Sequence, residues 1–184
     1  MSFPKEDERY TYADYEKWDD EIRYELIDGV PYMLAAPSQT HQTISGELYF
    51  QLAGFLKGKQ CKVFYAPFDV RLTANDKDDT VVQPDLLVVC DMPKLDGKAC
   101  VGAPDMAIEI LSPSSSRQDK VVKLNLYQKA GVREYWIVDV EDKAVQVCIL
   151  RDGEYIVKAY TDADIAPVHV LEGCSINLAD VFAE

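Results

Sequence analysis

Three features of this 184-residue sequence point to an α/β (α+β) fold, a mixed β-sheet with helices packed on it. Apolar runs of strand length fill the middle of the chain, in the order strand, strand, helix, strand. Asp-Gly pairs at Asp28-Gly29 and Asp152-Gly153 lie between strand-like segments, the sequence mark of two-residue hairpins. Ile44, Leu48, Leu52 and Leu56 recur every four residues and lay an apolar stripe along one helix face. Hydrophobic residues make up 48% of the chain, enough for a real core, and no internal linker divides it. One domain over residues 1–184 is therefore expected.

The elements follow from local chemistry. Tyr12 to Trp18 looks like a short helix. The first hairpin joins Tyr24-Glu25-Leu26-Ile27 to Val30-Pro31-Tyr32-Met33-Leu34. Ser38, whose hydroxyl suits an N-cap, opens a helix running to about Leu56, with Gly58 beyond its end. Lys62–Tyr65 and Asp69–Leu72 suggest strands bent around Pro67, and Thr73–Thr80 is a polar loop. Two apolar runs come next, Val81–Val89 and Pro104–Leu111, separated by a loop rich in Asp, Lys, Gly and Pro. Ser114, Ser115 and Ser116 offer N-caps for a helix ending at Ala130, with Gly131 as its stop. Glu134–Val138 is a buried strand, and Ala144–Leu150 with Tyr155–Tyr160 forms the second hairpin. Asn177–Phe182 makes one helical turn or two.

Charge and cysteine content narrow the function. A formal charge of −13 opposes nonspecific coating of nucleic acid, because a uniformly negative field repels phosphate. From Leu111 to Arg133, however, Arg117, Lys120, Lys123, Lys129 and Arg133 face only Asp119, a local +4 that leaves −17 elsewhere. Lys129 and Arg133 complement a helix C-terminus; Arg117 and Lys120 stand at the opposite end, where an anionic ligand is the competing explanation. Cys61, Cys90, Cys100, Cys148 and Cys174 are odd in number, scattered, and without Cys-x-x-Cys spacing. Reduced thiols in a cytoplasm are expected, rather than a zinc knot or a disulfide framework. No run approaches the roughly 18 apolar residues of a membrane span, and the opening residues carry no apolar signal core, so a soluble cytoplasmic protein is expected.

Asp85 and Glu109 stand out because each interrupts an apolar run. Burying a lone ionised carboxylate costs several kcal/mol without a compensating cation or hydrogen bonds. Strand alternation puts Asp85 on one face with Gln83 and Leu87, and Glu109 with Asp105, Ala107 and Leu111. If the two runs pair as neighbours, both carboxylates converge on one cation. Asp119, Lys123 and Tyr127 form a stripe on the next helix, with Lys120 close by. Two carboxylates, a hard divalent metal and a lysine are the parts of phosphodiester hydrolysis.

The ordered set Pro84-Asp85, Glu109-Ile110-Leu111-Ser112-Pro113 and Asp119…Lys123…Tyr127 resembles the Uma2-type "putative restriction endonuclease" family, part of the PD-(D/E)xK nuclease superfamily. The likeness extends through Gly131–Asp139 and back to Tyr24–Gly29 and His41-Gln42, so it covers about Tyr10 to Val147. It implies a restriction-endonuclease-like fold, with a central mixed β-sheet flanked by helices, and DNA cleavage dependent on Mg²⁺ (or Mn²⁺). It assigns the metal to Asp85 and Glu109, with the Ile110 carbonyl as third ligand. One departure matters: Leu111 stands where the E-x-K signature has its lysine. The lysine looks migrated to Lys123 on the next helix, with Lys120 as the substitute. The resemblance also implies DNA as partner and, as for many restriction-type enzymes, a homodimer.

Plainer roles compete at each position. Asp85 after a proline can simply hydrogen-bond local amides, and Glu109 can form a buried ion pair with a helix lysine. Ser112 and Arg117 are candidates to bind substrate phosphate at the helix start, although capping alone also explains such serines. Glu25 either supports the metal or is an exposed strand glutamate. His41 is expected to be a surface residue compatible with the helix start. Tyr127, Tyr135 and Trp136 read as core and interface aromatics, Tyr127 also as a supporting residue of the site. Two other functions remain open beside the nuclease: a catalytically silent binding or assembly module, which the negative charge favours, and a metal-dependent hydrolase of small phosphoesters.

Overall fold

The computed structural model describes residues 4, 8–18, 22–72, 77–111 and 117–183, without the side chains of 117–119. In chain order the first half comprises α1 (Tyr12–Tyr15), the hairpin β1 (Tyr24–Ile27) and β2 (Val30–Met33), α2 (Gln39–Leu56), β3 (Lys62–Tyr65), β4 (Asp69–Arg71), β5 (Val81–Val82) and β6 (Leu86–Val89). A 3-10 turn at Met92–Lys94 leads to β7 (Ala99–Val101), β8 (Met106–Leu111), α3 (Arg117–Ala130) and β9 (Glu134–Asp139). The hairpin β10 (Ala144–Arg151) and β11 (Glu154–Thr161), then β12 (Ile165–Pro167), β13 (Ser175–Asn177) and α4 (Leu178–Val181), complete the chain.

Turn and cap chemistry set most of these boundaries. Asp28 and Gly29 both adopt positive φ, 49° and 77°, as the tight hairpin between β1 and β2 requires. Asp152 and Gly153 do the same between β10 and β11, at 51° and 86°. Ser38 Oγ accepts from the His41 amide at the start of α2, and Gly131 ends α3 in the left-handed conformation. The expected Ser114–Ser116 caps lie outside the described residues.

A six-stranded mixed sheet in the order β11-β10-β9-β8-β6-β3 forms the centre. Its β8–β9 pair is parallel and its other neighbours are antiparallel. One face carries Leu86, Val88, Met106, Ile108, Trp136 and Val138 against the Ile44–Leu56 stripe of α2 and the segment around β12, β13 and α4. The opposite face carries Leu87, Val89, Ala107, Tyr135 and Ile137 against Tyr127 of α3 and a second, five-stranded sheet, β2-β1-β5-β4-β7. Each fully buried leucine on these faces, Leu48 and Leu52 among them, adds about 2 kcal/mol of transfer free energy.

Two expectations are corrected here. The Val81–Val89 run is not one strand: β5 joins the second sheet and β6 the central one, and Asp85 lies in the gap between them. Pro84 has no amide to donate to a ladder, so the run breaks at that point. The cysteines are not all free either. Cys61 and Cys90 flank the β3–β6 pair, whose register matches Lys62 with Val89, and they form a disulfide. Cys100, Cys148 and Cys174 are buried thiols. Among the described residues no helix is long and apolar enough to cross a membrane.

Candidate active site

The register of β6 and β8 decides where the acids meet. Leu86 pairs with Ile108, so Asp85, one step before β6, falls opposite Glu109. Both side chains belong to the face that carries Leu87 and Ala107. The Ile110 amide donates to Asp85 Oδ2 at 2.7 Å, which fixes the acid against β8. His41 Nε2 lies 3.2 Å from the same oxygen.

α3 reaches Glu109 from the far side of the cleft. Lys123 and Tyr127 are one helical turn apart and project together. Lys123 Nζ donates to Glu109 Oε1 at 2.9 Å, and Tyr127 Oη donates to that oxygen at 2.7 Å. Lys123 Nζ also donates to Glu25 Oε1 at 2.9 Å, where the Gln83 amide is a second donor at 2.9 Å. All of these but the buried Tyr127 line one cleft of about 1090 Å³, bounded by the β1–β2 hairpin, the start of α2, the end of β3, and α3.

Burial and charge act against each other in this group. Burial raises the Glu109 carboxyl and Lys123 lowers it, while Glu25 and Asp85 raise it again; the outcome is about 7. Burial alone would lower Lys123, but Glu109 and Glu25 hold it well above the ordinary lysine value, so it stays protonated. Tyr127 is pushed well above its usual range by burial and then by Glu109. Its hydrogen bond to Asp85 raises His41.

The donor chemistry suits a hard divalent cation. Among the described contacts Asp85 commits only Oδ2 and Glu109 only Oε1, so each carboxylate keeps one oxygen for a ligand. No three His, Cys, Asp or Glu side chains among the described residues gather closely enough to cage an ion by themselves. Mg²⁺ does not need such a cage, since one or two carboxylates with water and substrate phosphate complete its shell.

Asp85, Glu109, Ile110, Lys123, Glu25 and Tyr127 thus come together. Lys120 also lines the cleft, but its Nζ pairs with Asp139 Oδ2 at 3.2 Å instead of reaching the acids. Burial would raise Asp139; the Asp142 amide, Lys120 and the Glu141 amide outweigh it and hold the carboxyl below its usual value. Ser112 and the side chain of Arg117 lie outside the described residues. Glu25 is buried rather than exposed, at 2%. Tyr135 and Trp136 are core residues.

Two members escaped the sequence. His41 is buried against Asp85, not a surface residue as expected, and its Nδ1 has no partner among the described residues. The signal was present, because His41 continues the Ile44–Leu56 stripe by one turn. Gln83 had no such signal. Its side chain accepts from Arg23 Nε at 3.0 Å and donates to Tyr15 Oη and Asp69 Oδ1, a network that fixes the backbone beside Glu25.

Known proteins share this chain's fold and sequence pattern. A crystal structure of a "putative nuclease belonging to DUF820" from Anabaena variabilis superposes with a TM-score of 0.77. It is 20% identical and covers 95% of this chain and 98% of its own. An uncharacterized protein of Synechocystis sp., slr1290, is 24% identical over 156 residues, which span 82% of this chain and 80% of that one. The sequence pattern of Uma2, described as "Putative restriction endonuclease", matches residues 12–179. Covering nearly the whole chain, that match places the protein in the Uma2 family.

Proposed function

We propose that the protein is a Mg²⁺- or Mn²⁺-dependent endonuclease that hydrolyses phosphodiester bonds of DNA. The observation that carries this reading is the pairing of Asp85 and Glu109 across β6 and β8, each with one oxygen uncommitted, beside the Lys123 ammonium. Asp85, Glu109 and the Ile110 carbonyl would hold the ion. When bound, the metal supplies Lewis acidity to the phosphoryl oxygens and acidifies water.

The chain's own groups then have distinct tasks. The Ile110 amide and His41 hold Asp85 Oδ2, which turns its other oxygen to the cleft. Tyr127 Oη and Lys123 Nζ do the same for Glu109. An ammonium has three N–H donors, and Lys123 uses two of them on Glu25 and Glu109. The third orients the attacking water and offsets charge developing on the phosphate. Because two carboxylates keep Lys123 protonated, it orients that water and does not deprotonate it. Water adds at phosphorus, the P–O bond to the leaving oxygen breaks, and one proton of the water ends on that oxygen through solvent.

Incubation of purified protein with plasmid and with single-stranded DNA, in Mg²⁺ and in Mn²⁺, tests the proposal. Cleavage should require the metal and vanish in Asp85→Asn and Glu109→Gln. Absence of cleavage with either metal, or full activity in Asp85→Asn, overturns it. The net charge of −13 favours a second reading, a catalytically silent binding module. That module would bind its partner equally well with a chelator present and in Lys123→Ala.

A further inference from the structure

The cleft that holds the acids also carries exposed aromatic rings. Tyr32 on β2 is the register partner of Glu25 on β1, and opposed residues of an antiparallel pair project to the same face. Its side chain lines the cleft and the residue is 47% exposed. Tyr65, at the end of β3, also lines the cleft and is 57% exposed. The register sets Ala66, whose amide donates to the Asp85 carbonyl at 3.0 Å, against Asp85 and pairs Tyr65 with Leu86, so the Tyr65 ring projects to the α2 side of the sheet. Tyr49 braces it edge-on, with ring centroids 4.9 Å apart and planes at 83°. Two aromatic rings, one of them held in place, therefore line the cleft that also holds Glu25 and Asp85.

The charges of the same cleft argue against a double helix as occupant. Duplex binding draws on many phosphate contacts. Among the described residues, the cations that line the cleft have partners already: Lys123 pairs with Glu25 and Glu109 and Lys120 with Asp139, while Arg23 donates to Gln83. Base stacking needs no cation and adds about 1–3 kcal/mol per base, whatever the sequence. A base inside a duplex is already stacked and shows only its edge, whereas an unpaired base can lay its face on a tyrosine.

We infer that Tyr32 and Tyr65 stack on unpaired bases flanking the phosphodiester at Asp85 and Glu109, which makes single-stranded nucleic acid the substrate. The inference rests on the hydrolase reading above for what happens at the phosphate, and on the rim alone for what is bound.

Binding is measured with a chelator present, so that no strand is cut. The probes are a fluorescent 12-nucleotide DNA strand, its duplex, and an abasic strand of equal length, followed by anisotropy. The protein should bind the single strand at least about tenfold more tightly than either control. Tyr32→Leu and Tyr65→Leu should each weaken that binding about tenfold, while Tyr65→Phe keeps it. Circular dichroism identifies the folded variants, and the phenylalanine variant keeps the test valid if a leucine variant unfolds. Equal affinity for the abasic strand, a preference for the duplex, or unchanged binding in folded leucine variants would overturn the inference. So would sedimentation showing a dimer that Tyr65→Leu dissociates, because the rim would then be a subunit interface. Strand binding without cleavage in metal would sink the hydrolase reading alone, and cleavage with duplex preference would sink only the stacking rim.

Discussion

Removing the Lys123 ammonium would leave Glu25 and Glu109 facing each other in a buried site with no cation between them. Taking one partner from a buried ion pair costs about 3–5 kcal/mol. Lys123→Ala should therefore destabilise the metal-free protein by about 3 kcal/mol at pH 8. The loss should shrink toward pH 5. Glu109 already titrates at about 7 in the intact protein, above its ordinary 4.5. A carboxyl raised in the folded state binds its proton there first, so its burial penalty is complete above pH 7 and lifts as pH falls. A neutral carboxyl no longer needs the lysine. Urea titration of both proteins at the two pH values measures this, and a pH-independent loss would contradict it. Glu134 offers a second case, away from the cleft. Its two oxygens accept from Trp136 Nε1 at 2.7 Å and from the Val170 amide at 2.8 Å, in a fully buried position. Glu134→Ala orphans both donors and should cost about 2–4 kcal/mol, read from the same titration.

Among the elements, α2 has the clearest division of labour. Its apolar stripe packs on the central sheet, and its first turn delivers His41 to Asp85. Leu48→Ala should cost about 3 kcal/mol, as a buried leucine leaving a cavity does. Ser38→Ala removes the cap on the His41 amide and should cost about 1 kcal/mol. Differential scanning calorimetry should rank the two in that order. These helices and hairpins were legible because their signals are local: an N-cap, an Asp-Gly pair, a four-residue spacing. The division of Val81–Val89 between two sheets was not, since the proline marks a break but not which sheet each half joins. β7 and the β12–β13 pair also escaped notice, being three-residue strands that exist only through their partners. In the site, the two acids were readable as charges interrupting apolar runs, and Lys123 from its helix stripe with Tyr127 and from the family resemblance. Gln83 was not readable, because its value lies in contacts with Arg23, Tyr15 and Asp69 that only the closed fold creates.

For the molecule as a whole, binding of the proposed metal would add to stability. A ligand that binds only the folded chain, present at about a hundred times its dissociation constant, adds about 2.7 kcal/mol. For a chain of this length that raises the melting temperature by about 5–10 °C. Mg²⁺ should give such a shift to the wild type and none to Glu109→Gln; an equal shift in both would place the ion elsewhere. The contact between Lys123 and Glu25 spans 98 positions of chain, and the one between Asp85 and Ile110 spans 25. The first of these joins α3 to the second sheet, so it forms only after both have docked on the central sheet. On dilution from denaturant, far-ultraviolet ellipticity should return first, and the proposed hydrolysis should be the last property regained. Pieces produced by limited proteolysis would be inert, however much helix each one kept.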